Sequence, residues 1–138
     1  MGIMNRSTVL VDTSALYALL TASDPNNTAA GAIWNRLLDG DHMVTHSGIV
    51  IESSALVQRR LGLEAARVLH DDLLPLIDIT WIDQHLHDHA VTAMLAARRR
   101  DVSLVDHTSF ELMRQRAITT AFAFDDDFLD QGFDLLTA

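Results

Sequence analysis

Acidic side chains stand at the ends of apolar segments four times along this chain of 138 residues. Asp12 follows Val9-Leu10-Val11, Glu52 lies within Ile49-Val50-Ile51-Glu52, Asp106 follows Ser103-Leu104-Val105, and Asp125 follows Ala121-Phe122-Ala123-Phe124. A carboxylate stays on a solvated face unless something compensates it, because burying an unpaired charge is costly. The chain has no lysine, so the simplest compensating cation is a divalent metal ion.

The length fits one domain over residues 1–138, with 1–7 as an N-terminal extension, and is too short for two well-packed cores. Hydrophobic residues make up 49% and aromatics 6%, which predicts a core of Leu, Ile, Val and Ala. The absence of cysteine excludes disulfides, iron–sulfur clusters and thiolate zinc sites. No apolar run reaches the roughly 18–20 residues needed to span a bilayer. The N-terminus lacks a secretory apolar region, so the expected location is the cytoplasm, away from membranes. The triplets Asn5-Arg6-Ser7 and Asn26-Asn27-Thr28 are then chance matches to a glycosylation acceptor.

A net charge of −9 argues on its face against a nucleic-acid partner. All ten basic residues, however, are arginines, and seven cluster as Arg59-Arg60, Arg98-Arg99-Arg100, and Arg114 with Arg116. Arginine suits bidentate phosphate contacts; solvated helix ends explain any single cluster equally well.

Thr8–Val11 reads as a buried strand, with Thr13 or Ser14 positioned to cap a helix that runs to Leu20. Helical spacing covers Thr28–Leu38, and Met43–Thr45 is a second strand followed by a helix from Ser47 to Arg60. A helix over Leu63–Leu73, a strand over Leu76–Trp81 and helices over Asp83–Arg100 and Ser103–Arg116 follow. Ala117–Phe124 is apolar enough for a strand buried on both faces, Asp125–Leu129 is a turn or short helix, and Phe133–Leu136 is an edge strand. Alternating strands and helices predict a three-layer α/β/α sandwich around a mostly parallel sheet.

In such sheets, sites form beyond the carboxyl ends of strands where crossovers diverge. Asp12, Asp106 and Asp125 can meet there as hard oxygen ligands for Mg²⁺ or Mn²⁺. Each also has an ordinary use: Asp12 as a helix cap, Asp106 in a Ser103-x-x-Asp106 capping box, Asp125 in an acidic turn. At 100° per residue, the apolar side chains of residues 49–57 surround the helix, which predicts that it is largely buried with Glu52 as its one charge. An arginine partner and a catalytic role for Glu52 both stay open at this point. His85 and His89 sit one helical turn apart, a spacing compatible with zinc or nickel but without an evident third ligand. His107 beside Asp106 is either a substrate contact or an incidental neighbour, and Ser14 a candidate partner for a site carboxylate or phosphate; a plain cap is the alternative for Ser14.

Together these segments resemble the PIN domain, and more narrowly the VapC-type toxins of bacterial toxin–antitoxin pairs. The resemblance runs in order through Val9-Leu10-Val11-Asp12-Thr13-Ser14-Ala15-Leu16, Ser47-x4-Glu52, Ser103-Leu104-Val105-Asp106-x2-Ser109-Phe110 and Ala121-Phe122-x2-Asp125-x-Asp127-Phe128-x3-Gly132-Phe133, over residues 8–136. It implies a metal-dependent ribonuclease that cuts single-stranded or looped RNA, held inactive by a cognate antitoxin, with a homodimer as the family's plausible assembly. It also implies Asp12, Glu52, Asp106 and Asp125 as the acidic set, Asp12, Asp106 and Asp125 as metal ligands, Asp127 as an accessory acid and Ser14 as a supporting hydroxyl. Ala123 departs from the pattern, standing where many relatives carry threonine.

Competing classes fit less well. Haloacid-dehalogenase-type phosphatases need a second acid where Ser14 stands, receiver domains and P-loop enzymes need a lysine, and a serine hydrolase needs a Gly-x-Ser-x-Gly elbow. A PIN-like module that binds RNA or protein without cutting is the remaining alternative.

Overall fold

The computed structural model describes residues 7–138. Residues 1–6 of the expected extension, and with them Asn5 and Arg6 of the first glycosylation-type triplet, lie outside the described residues.

Local chemistry explains most element boundaries. Strand β1 (Thr8–Val11) ends at Asp12, whose carboxylate caps helix α1 (Thr13–Leu20) by accepting from the Ser14 N–H. Helix α2 (Asn27–Leu38) leads to β2 (His42–His46) and α3 (Ser47–Leu61), which stops at Gly62 with φ 96°, a left-handed value that glycine adopts at little cost. Helix α4 (Leu63–Val68) widens into a π turn over Leu69–Leu73 and tightens into a 3₁₀ turn at Leu74–Leu76. Pro75 stiffens that turn and takes Leu76 out of the strand, so β3 is confined to Asp78–Thr80. Helices α5 (Gln84–Ala97) and α6 (Leu104–Gln115) precede β4 (Thr120–Phe122), α7 (Asp127–Asp130) and β5 (Asp134–Leu135).

The region after α6 departs most from the apolar pattern. Its first residues close the helix instead of joining β4. The Ile118 N–H donates to the Met113 carbonyl at 2.9 Å and the Ala117 N–H to that of Arg114 at 3.3 Å, the paired bonds of a Schellman end. This geometry holds Ala117 at φ 54°, where a Cβ is penalised by about 1–2 kcal/mol. Ala117→Gly should therefore raise stability by about 1 kcal/mol in urea denaturation, since the position is exposed and nothing else is removed.

All five strands are parallel, in the order β3-β2-β1-β4-β5. The chain winds outward from β1 to β3, then crosses back to β4 on the other side of β1. Val9, Leu10 and Val11, and likewise Ala121 and Phe122, are almost fully buried although successive strand residues face opposite ways. Both faces of the sheet are thus covered, which gives the three-layer sandwich.

The aromatic minority is more central than a core of Leu, Ile, Val and Ala suggests. Phe110, Phe122 and Phe128 are among the largest fully buried side chains. Phe110 on α6 meets the Phe128 ring edge-on at 5.1 Å and stacks on Phe133 at 6.1 Å. These contacts, the geometry aromatic pairs favour, fix α6 against the segment that carries Asp125 and Asp127. Among the described residues no helix is long and apolar enough to cross a membrane.

Candidate active site

The strand order reverses between β1 and β4, and the crevice beyond their carboxyl ends is where an open parallel sheet accommodates a ligand. The two strand ends are joined there. The Asp12 N–H donates to the Phe122 carbonyl at 3.0 Å, and Thr45 Oγ1 donates to the Val11 carbonyl at 2.9 Å.

Asp12 is 4% exposed. Its Oδ2 accepts from Ser14 Oγ at 2.7 Å and from the Ser14 N–H at 3.2 Å. Ser14 Oγ in turn accepts from the Phe124 N–H at 3.0 Å, so one hydroxyl spans the carboxylate after β1 and the backbone leading to Asp125. Asp106 occupies the expected capping box: its Oδ2 accepts from the Ser103 N–H at 3.0 Å and the hydroxyl at 3.1 Å, while its own N–H donates to Ser103 Oγ at 3.2 Å. In both residues the cap uses one oxygen and leaves Oδ1 without a protein donor among the described residues. Capping and site duty are thus compatible, because the cap orients the carboxylate.

Carboxylate oxygens of Asp106, Asp125 and Asp127 all lie within 4.8 Å of one another. The Asp127 N–H donates to Asp125 Oδ1 at 2.9 Å, a turn that aims both side chains at Asp106. Asp127, an accessory acid in the sequence pattern, thus stands in the tightest group. Asp12 and Glu52 lie outside that group but within reach of its field, since the charges of Asp106 and Glu52 both act on Asp12.

The electrostatics report unmet negative charge. Burial pushes the Asp12 carboxyl up to about 6 against the opposing Ser14 hydrogen bonds, and the Asp106 and Glu52 charges add to the rise. Asp106 is raised by burial and by Asp125, and Asp127 by burial and by Asp125 and Asp106. Among the described residues only Arg99 brings a guanidinium within ion-pair distance of this set, 3.8 Å from Asp127. It is already held by Asp101 at 2.8 and 3.2 Å. Several hard oxygens sharing one rim with so little positive charge fit a small divalent cation.

Helix α3 departs from the expectation of near-complete burial. Ile51 is 68% exposed, Ala55 is exposed, and only Ser47, Ile49, Ser53 and Val57 are buried, so Glu52 sits at the boundary of a one-sided helix. Apolar residues spread around a helix do not bury it when few elements cover it. His107 is 4% exposed, with its ring edge-on to Phe110 at 5.8 Å, which removes it as a substrate contact. His85 and His89 place their rings 4.4 Å apart, and among the described residues no third ligand joins them.

One residue that supports the site does not stand out in the sequence. His46 is fully buried at the end of β2. Its Nδ1 accepts from the N–H groups of Gly48 and Ile49 at 3.1 and 3.3 Å, capping the helix that carries Glu52. Its Nε2 therefore donates to Ser109 Oγ at 2.8 Å, which donates to the Val105 carbonyl beside Asp106. A Cβ on Gly48 would come within 3.0 Å of this ring, so His46-Ser47-Gly48 is the available sequence signal: a bulky cap beside a residue with no side chain.

Comparison with known proteins gives the family and the fold. The family model described as PIN domain matches residues 9–134. A Mycobacterium tuberculosis protein described as the 23S rRNA-specific endonuclease VapC20 is 31% identical over 126 residues, which cover 91% of this chain and 95% of that protein. The crystal structure of VapC20, described as a sarcin-ricin-loop-cleaving toxin, superposes with a TM-score of 0.86 at 29% identity over 94% of this chain and 99% of that one. FitAcB from Neisseria gonorrhoeae shares the fold at a TM-score of 0.68 and 16% identity, covering 93% and 96% of the two chains.

Proposed function

The chain belongs to the PIN domain family, and from that premise we propose that it is a metal-dependent endoribonuclease cleaving RNA phosphodiesters, the toxin of a toxin–antitoxin pair. The observation that carries this is the meeting of Asp106, Asp125 and Asp127 beside buried Asp12 at the point where the sheet reverses. The similarity to VapC20 favours a cutting enzyme over a module that only binds.

The residues fit a hard divalent cation. Asp106, Asp125 and Asp127 would hold Mg²⁺ or Mn²⁺, with Asp12 adding a ligand through its free Oδ1. When bound, such an ion supplies Lewis acidity toward a phosphodiester oxygen and makes water more acidic. The chain's own groups do the rest. Ser14 and Ser103 fix the Asp12 and Asp106 carboxylates, so their charge is arranged before substrate arrives. Glu52, at the margin of the site and open to solvent on one side, accepts the proton of the water that attacks phosphorus. The phosphorus–oxygen bond to the leaving ribose then breaks, and that oxygen takes a proton from solvent.

A cognate antitoxin and a second copy of the chain are the proposed protein partners, and exposed Ile51, Leu63 and Trp81 offer apolar surface for them. Chelation tests the assignment. EDTA should reduce cleavage of a looped RNA to background, and Mn²⁺ or Mg²⁺ should restore it, as read on a denaturing gel. Undiminished cleavage in EDTA would end the metal assignment, and absence of cleavage with every divalent ion tried would end the nuclease assignment.

A further inference from the structure

We infer that the cavity walled by Arg98, Arg99 and Arg100 takes one nucleotide of single-stranded or looped RNA beside the acidic set, its phosphate on the guanidiniums and its base on an apolar floor. The inference rests on the nuclease reading and adds where the substrate is gripped.

The cavity has a volume of about 400 Å³, within the range of small-ligand sites. Helix α5 ends at Arg98, whose φ of 55° is left-handed. The chain therefore leaves the helical spiral, and three consecutive arginines line one hollow instead of pointing 100° apart. Arg99 is committed to Asp101 and faces Asp127 and Asp130. Arg98 and Arg100 make no ion pair among the described residues, which leaves two forked donors for an incoming anion.

The floor is formed by Met94, Leu95 and Val102, and Leu95 is 67% exposed. An open leucine among guanidiniums suits a flat aromatic ring attached to a negative charge. Unstacked bases are taken up in this way on apolar side chains and arginine planes. A duplex keeps its bases inside and cannot reach such a floor, so the fit is to an unpaired nucleotide.

Two walls of the cavity touch the acidic set. Ser103 holds the Asp106 carboxylate, and Arg99 stands 3.8 Å from Asp127. A nucleotide seated here lies next to the carboxylates, and its cationic grip offsets the repulsion that a chain of net charge −9 exerts on RNA.

The test is the anisotropy of a short labelled oligoribonucleotide, titrated with the full chain in EDTA across a salt series. Arg98→Gly with Arg100→Gln, which keeps the left-handed residue comfortable, should weaken binding about tenfold or more and flatten the salt slope by about 0.7, the loss of one phosphate contact on a single strand. Leu95→Ser should weaken binding several-fold with the slope unchanged. Circular dichroism and Mn²⁺ binding, read by electron paramagnetic resonance, should match the parent and show that fold and acids are intact. Unchanged affinity and slope in the double variant, or no binding by the parent at low salt, overturns the cavity. So does a glutamate-rich peptide of equal charge that binds as tightly and loses affinity by the same factor. If the parent cleaves RNA while the double variant binds it equally well, the cavity falls and the nuclease stands. If the parent never cleaves but the slope flattens as stated, the nuclease falls and the cavity stands.

Discussion

Asp12→Asn is expected to lower RNA cleavage by about a thousandfold or more, several kcal/mol of transition-state stabilisation, while making the metal-free chain more stable at neutral pH. Both effects come from one buried carboxylate. Burial holds its pKa at about 6, against 3.8 for an unburied carboxyl. Well below pH 3.8 the carboxyl is protonated in folded and unfolded chains alike and costs nothing. Between about pH 4 and 6 the unfolded chain is ionised while the folded chain holds its proton, so stability falls as pH rises, and the loss of up to about 3 kcal/mol is complete once pH passes about 6. Asparagine stays neutral and can still accept from Ser14, so it avoids that loss. Urea denaturation in EDTA should show the variant ahead of the parent at pH 8 and the difference closing near pH 4. Equal stability at pH 8 would mean that the carboxylate is not penalised by burial. Adding Mn²⁺ should narrow or reverse the difference, because the cation stabilises the chain that keeps all its ligands more than the one that has lost Asp12.

His46→Ala should cost about 3 kcal/mol and lower the melting temperature by about 10 °C. The loss combines a ring-sized cavity, an uncapped α3 and a Ser109 hydroxyl without its donor. The pH dependence separates this residue from Asp12. Burial lowers the His46 pKa to about 4, against 6.5 for a free imidazole. Above 6.5 the ring is neutral in both states, and its stabilising contacts are fully present. As pH falls towards 4 the unfolded chain takes up a proton that the folded chain resists, and that stability is lost. Over pH 4 to 6 the two residues thus act in opposite directions and flatten the parent's profile. Asp12→Asn should expose a steep loss of stability on acidification, and His46→Ala should expose a gain. Matching slopes in the two variants would overturn the assignment of these protonation states. Catalysis should also suffer in His46→Ala at temperatures where it stays folded, since the ring ties the helix of Glu52 to that of Asp106.

The apolar run before Asp12, the Ser103-x-x-Asp106 spacing and the break at Gly62 are properties of neighbouring residues, and the structure shows β1, the capping box and the end of α3 where they point. Strand ends were less legible. Leu76 and Ala117 have strand-forming neighbours, but a proline turn and a helix-closing pair of hydrogen bonds claim them first. The exposure of α3 was hidden for a different reason: periodicity tells which residues share a face, not whether another element covers it.

The sequence by itself determined that carboxylates end apolar segments and that the strands between helices lie parallel, because both follow from local pattern and the entropy of short connections. Which carboxylates meet was decided only by the tertiary structure. The sheet reverses beside β1, the Phe110 cluster draws the Asp125–Asp127 turn onto α6, and His46 reaches 63 residues along the chain to Ser109. Distances of that kind are set by packing between remote segments, and no stretch of neighbouring residues encodes them.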